Sequence, residues 1–174
     1  MPIDLRTLRS ASTRSRQVVV ANSLYEARAR NKQTAFLCHS HTDQQLAQGL
    51  QVILKEHGWD LYIDWQDHEM PESPNKETAI KIKSKILETD WFLFLATPNS
   101  VRSRWCPWEI GYADSTKTQD KILIVPTQDD SGKWFGNEYL ELYKRLDKGY
   151  QSNKSGYAVF KPGAQYGTFV SQIR

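Results

Sequence analysis

From Thr34 onward, short apolar runs alternate with stretches of helical periodicity, and that alternation limits the chain to few architectures. "TAFLCHS" (34–40) has the length and composition of a strand buried on both faces. "DQQLAQGLQVILKEHG" (43–58) follows, with Leu46, Leu50, Ile53 and Leu54 recurring on one helical face. Thr42 with Gln45 fits a capping box at its start, and Gly58 fits its end. "LYID" (61–64), "WFLFLAT" (91–97), "KILIVPT" (121–127) and "YAVF" (157–160) read as four further strands. One helix is expected at 76–89, carrying Ala79, Ile82 and Ile86, with Ser73 as N-cap and Pro74 at the first helical position. Another is expected between 103 and 121. Strands alternating with helices require right-handed crossovers, hence a mainly parallel sheet with helices on both faces.

Five such strands predict an α/β, flavodoxin-like, doubly wound sheet whose ligand crevice lies beyond the carboxyl ends of the strands. The length suits one domain, residues 33–174, preceded by a basic arm, residues 1–32, expected to be helical and low in core content. The arm holds seven Lys/Arg against two acidic residues, a balance of +5; the remainder has 16 basic and 18 acidic residues, or −2. A near-neutral body gives no electrostatic reason to expect nucleic acid. Cys38 and Cys106 lie far apart with no CxxC pair, which suggests a reduced, cytoplasmic protein. No apolar run approaches the roughly 20 residues that span a bilayer, so no membrane partner is expected. The first residues carry no apolar core of a secretory signal.

His39 and Ser40 follow the first predicted strand, Asp64 and Trp65 the second, and "TPNSVRSRWC" the third. Short polar groups, aromatic plates and carboxylates at one sheet edge have the composition of a binding site. Trp105 and Glu109 stand four residues apart, one helical turn. A flat apolar wall beside a carboxylate suits a planar cationic ring attached to a sugar. The same spacing also suits Trp105, Trp108 and Tyr112 as core packing, with Glu109 facing solvent. His39 and His41 near Cys38 lack the usual zinc spacing, so no metal site is predicted. The nine glycines are scattered and form no phosphate loop, although Ser40 and the amides of the following helix suit a phosphate.

"FLCHSHTD", "YIDW…MP", "ETA", "FLFLATPNSVRSRWCPWEIGYAD" and "ILIVPT", in this order and spacing, resemble a bacterial Toll/interleukin receptor (TIR) domain over residues 34–127. The most specific element is Ser103-Arg104-Trp105-Cys106-Pro107-Trp108-Glu109. The resemblance implies that Glu109 is the catalytic residue for cleaving NAD+ at its nicotinamide–ribose bond. Ser103, Trp105 and Cys106 in this element, and as a second tier His39, Ser40, Asp64 and Trp65 at the predicted strand ends, where the match to enzymatic members is looser, are the expected substrate-binding residues. "CHSHTD" departs from the shorter Ser-containing first loop of enzymatic members. NAD+ would then be substrate, with no cofactor. Self-association through TIR domains, and a separate effector that senses the product in Thoeris-type antiphage defence, are the implied partners. A non-catalytic TIR interaction module and a nucleoside deoxyribosyltransferase-like enzyme are the alternatives.

A single carboxylate suits NAD+ cleavage on chemical grounds. Most glycosidases need a second carboxyl group to protonate the leaving oxygen. Nicotinamide departs from its pyridinium as a neutral molecule, so stabilising the oxocarbenium-like centre remains the main task. The loop 65–75 is expected to gate this site, moving as subunits associate. Its eleven residues exceed the median connection of about 4–6, and Trp65 and Met70 give it apolar surface without an evident core destination.

Overall fold

The computed structural model describes residues 1–14, 29, 32–67, 75–151 and 154–173. Four parallel strands form the centre: β2 (Gln33–Cys38), β3 (Trp59–Tyr62), β4 (Trp91–Ala96) and β5 (Ile122–Gln128). β1 (Ile3–Asp4) pairs with β5, and so does the short antiparallel β6 (Trp134–Phe135). Beyond β5 come β7 (Lys144–Gln151), β8 (Lys154–Phe160) and β9 (Gly167–Phe169), giving the order β3-β2-β4-β5-β7-β8-β9.

Successive side chains of a strand point to opposite faces, and here both faces are covered. Ala35, Leu37, Leu93, Leu95, Leu123 and Val125 face α1 (Leu5–Ser12) and α2 (Gln44–Glu56). Phe36, Cys38, Phe92, Phe94, Ala96, Ile122 and Ile124 face α3 (Lys76–Glu88) and α5 (Cys106–Thr116). A short helix, α4 (Pro98–Arg102), links β4 to α5. The chain leaves β2 toward β3 on one side and returns to β4 on the other. The strand order therefore reverses between β2 and β4, and their carboxyl ends flank the crevice that such a reversal opens.

Several expectations are corrected. The sheet is wider than five parallel strands, because β7–β8 and β8–β9 are antiparallel and 157–160 lies within β8. The further parallel partner of β5 is β7, whose "KRLDKGYQ" is too polar to read as a strand. Its buried Asp147 is tolerated because Arg145 Nε donates to the Asp147 carboxylate at 2.8 Å. The start of α2 carries no capping box at Thr42: the turn His41–Asp43 is a 3-10 helix and Asp43 precedes α2 without a side-chain cap bond. Gly58 does end that helix, with φ of +87°. The cap of α3 is Asn75, whose side chain accepts from the Glu77 and Thr78 amides, while Ser73 and Pro74 lie outside the described residues.

The expected low core content of the arm is overturned for residues 3–12. Ile3, Leu8 and Ala11 are buried in the α1/α2 layer, where each large side chain contributes about 1.5–3 kcal/mol. Gly49 makes that contact possible: a Cβ there would stand 1.9 Å from the Leu8 carbonyl oxygen. Most of 15–31 lies outside the described residues. Among those described, no helix is long and apolar enough to cross a membrane.

Candidate active site

Two loops meet where the strand order reverses. The segment after β4 is fixed by Thr97, whose hydroxyl accepts from the Asn99 and Ser100 amides while its own amide donates to Ser100 Oγ at 2.8 Å. Asp43, buried at the start of α2, ties the loops together. It accepts from the Thr97 hydroxyl through one carboxylate oxygen and from Asn99 Nδ2, at 2.7 Å, through the other. This clamp sets the chain that leads into α5.

Ser103 makes the entry. Its hydroxyl accepts from the amides of Trp105 and Cys106 at 3.1 and 3.3 Å, satisfying donors that a helix start leaves open. The Ser103 side chain is thus engaged by α5 itself. One turn on, Glu109 donates its amide to the Trp105 carbonyl at 2.9 Å, which confirms the one-turn spacing read from the sequence. Its side chain turns inward and is only 5 % exposed. Glu109 is therefore not a solvent-facing residue.

The tryptophans divide between two tasks. Trp105 and Trp108 meet edge to face, with ring centres 5.4 Å apart. Trp108 stacks on Tyr112 at 6.3 Å, and Lys83 of α3 caps both rings at 5.6 and 5.1 Å. Trp108 and Tyr112 hold α5 to α3, while Trp105 is partly buried at the helix entrance, one turn from Glu109.

Glu109 lies in an environment that disfavours its charge. Burial pushes its carboxyl well above the usual range, and the electrostatic influence of the nearby Cys106 thiol and of Asp64 adds to the effect. The Cys38 thiol acts the other way, as a hydrogen-bond donor to the carboxylate. Cys38 is the last residue of β2, fully buried, with Sγ 3.8 Å from the Cys106 carbonyl oxygen. The Cys106 thiol is held below its usual range by the hydrogen bond with Cys38, against burial and with help from Ser103. Cys38 itself is pushed up by burial first of all.

The second group of expected residues is placed as follows. His39 donates Nδ1–H to the Leu37 carbonyl at 3.1 Å, leaving buried Nε2 3.8 Å from Asp64 Oδ1 with no hydrogen-bond partner among the described residues. Ser40 is buried, and its hydroxyl lies 3.1 Å from that of Thr42. Asp64 accepts from the Trp65 amide at 2.8 Å and bears electrostatically on Glu109. Trp65 has a core destination after all: it packs against the α1/α2 layer, on the opposite face of the sheet from the layer of Glu109. The gating segment's Met70 and Pro71 lie outside the described residues.

Sequence reasoning missed Cys38 and Asp43 as contributors to this centre. Cys38 is hidden in an apolar strand, and Asp43 in a polar loop, where neither residue type announces burial. Two cavities, of about 620 and 440 Å³, lie elsewhere, the first beside α1 and the second around Trp134 and Tyr143; neither is lined by Glu109.

The family described as TIR domain matches residues 35–150, two thirds of the chain. Among curated proteins, the chain is 34 % identical over 116 residues to the probable 3' cyclic ADP-D-ribose synthase ThsB' of Bacillus cereus (strain MSX-D12). That alignment covers 66 % of this chain and 60 % of the relative, so the chain spans about three fifths of the relative's length.

Proposed function

Since the chain belongs to the TIR-domain family, we propose that it cleaves NAD+ at the nicotinamide–ribose bond and converts the remainder into an ADP-ribose-derived signalling nucleotide. The observation that carries this reading is the buried Glu109 carboxylate, one turn from Trp105 at the crevice between β2 and β4. A charge shielded from water acts at full strength on a developing cation, and a pyridinium leaving group needs no acid. In this account Glu109 faces the ribose carbon, and Trp105 walls the nicotinamide ring and excludes water. His39 Nε2 and Asp64 together supply acceptors suited to ribose hydroxyls, and Ser40 lies where a phosphate would approach α2. The burial of Glu109 means that the site opens to admit substrate.

The attacking group decides the product. Water would give ADP-ribose, whereas an internal hydroxyl of the substrate would give a cyclic isomer. The likeness to a probable 3' cyclic ADP-D-ribose synthase supports the cyclic outcome. Self-association, with a separate effector that reads the nucleotide in antiphage defence, completes the proposal. Incubating the purified chain with NAD+ and, separately, with deoxynucleosides tests it. Nicotinamide release without base exchange is expected. Base exchange on deoxynucleosides with intact NAD+ would instead indicate a deoxyribosyltransferase, and no reaction on either would leave an interaction module.

A further inference from the structure

β7 turns two charged residues toward a cavity that the proposed chemistry does not use. Its register with β5 sets Arg145 beside Ile124, so Arg145, and by alternation Asp147, share the side of the sheet that carries the α3/α5 layer. There they line the cavity of about 440 Å³, a size that suits a small molecule. Trp134 and Phe135 of β6, Tyr143 and Pro162 give it flat, apolar walls. Trp134 is 49 % exposed, and its ring lies against Gly136, where a Cβ would stand 2.4 Å from it. A large ring left half in solvent beside a cavity is surface available for stacking.

Asp147 supplies the polar end and is only 4 % exposed. Its Oδ2 accepts from Arg145 Nε at 2.8 Å and lies 3.6 Å from the N-terminal ammonium. Its Oδ1 is buried with no hydrogen-bond partner among the described residues. An unpaired buried carboxylate oxygen is unfavourable, so a donor that reaches it gains what the folded chain forgoes. The nearby cations are already engaged. Arg145 also donates to the Ala164 carbonyl at 3.1 Å, and the N-terminal ammonium donates to the Lys148 carbonyl at 3.2 Å. With Glu141 on the lining as well, the cavity offers little to an anion.

We propose that this cavity is a second binding site, for an uncharged planar heteroaromatic ring with an exocyclic NH2 group that stacks on Trp134 and donates to Asp147 Oδ1. The amino group of adenine and the carboxamide of nicotinamide share that chemistry. The site does not depend on Glu109, which does not line it. Because Oδ1 is closed to solvent, entry requires a wall to yield, and half-exposed Trp134 is the wall least held by packing.

Fluorine-19 NMR of the full chain labelled with 5-fluorotryptophan tests this, the Trp134 resonance being assigned by its loss in Trp134→Phe. Adenosine and nicotinamide are the probes, each paired with an analogue that lacks the NH2 group, purine riboside and methyl nicotinate. A saturable shift of the Trp134 resonance is expected, with affinity at least about tenfold lower for the analogue, the size of one bond to a charged group. A response to adenosine alone or to nicotinamide alone supports the site and identifies which source fills it. Asp147→Asn should erase the difference within a pair, and Gly136→Ala, which makes the indole swing away, should weaken every probe. Glu109→Gln should leave the shifts as they are. If Asp147→Asn does not fold, the paired comparison in the parent decides. No shift at millimolar concentration, equal affinity within each pair in the parent, or loss of the shift in Glu109→Gln overturns the proposal.

Discussion

Replacing Glu109 with Gln separates charge from shape at the centre of the proposed site. The amide matches the carboxylate in volume. What disappears is a unit negative charge held 5 % exposed, where no water can substitute for it. Removing one well-placed electrostatic group commonly costs about 2.7–4 kcal/mol of barrier, a factor of about 10²–10³ in rate. Burial this complete argues for the upper end, with kcat affected and substrate binding largely kept. Stability should move the other way. Because the carboxyl titrates well above its usual range in the folded chain, the unfolded chain releases that proton first as pH rises. The parent therefore loses stability from the ordinary carboxylate range upward, and Glu109→Gln does not. Thermal melts across pH should show the variant at least as stable as the parent, with a margin that widens as pH rises. A variant that keeps more than about a tenth of parental kcat would refute the electrostatic argument. One that melts lower at every pH would refute the account of burial.

Gly49→Ala tests the packing of the first helix. With a Cβ placed 1.9 Å from the Leu8 carbonyl oxygen, α1 has to move away, at an overpacking cost of about 1–3 kcal/mol. For a chain of this size each kcal/mol lowers Tm by about 2–4 °C, and an unchanged Tm would show that α1 does not rest on α2. If assembly completes the active site, specific activity should rise with protein concentration across a dilution series. A flat response would remove self-association from the proposal.

The centre of the fold was legible because β2 and β4 are buried on both faces, which forces continuous apolar runs such as "WFLFLA". Glu109 was legible because Trp, Cys and Pro crowd around it at helical spacing. Other features were hidden by the physics that stabilises them. The first helix reads as a basic arm because Arg6 and Arg9 outweigh, in composition, the narrow stripe of Leu8 and Ala11 that meets Gly49. β7 reads as a loop because Asp147 is made compatible with burial by Arg145 and by the N-terminal ammonium 3.6 Å away, pairings that exist only after folding. Asp43 likewise gains its role from Thr97 and Asn99, more than fifty residues away. Cys38 is a small hydrophobe by every local criterion, and its significance depends on which helix lands above it.

The most direct measurement is mass spectrometry of the nucleotide formed when the purified chain meets NAD+ in oxygen-18 water. The account predicts one nicotinamide for each NAD+ consumed, and a nucleotide lighter than ADP-ribose by one water that carries no solvent oxygen. Labelled ADP-ribose as the sole product would keep the cleavage and overturn the cyclisation. NAD+ recovered intact, at protein concentrations high enough for assembly, would contradict the central claim.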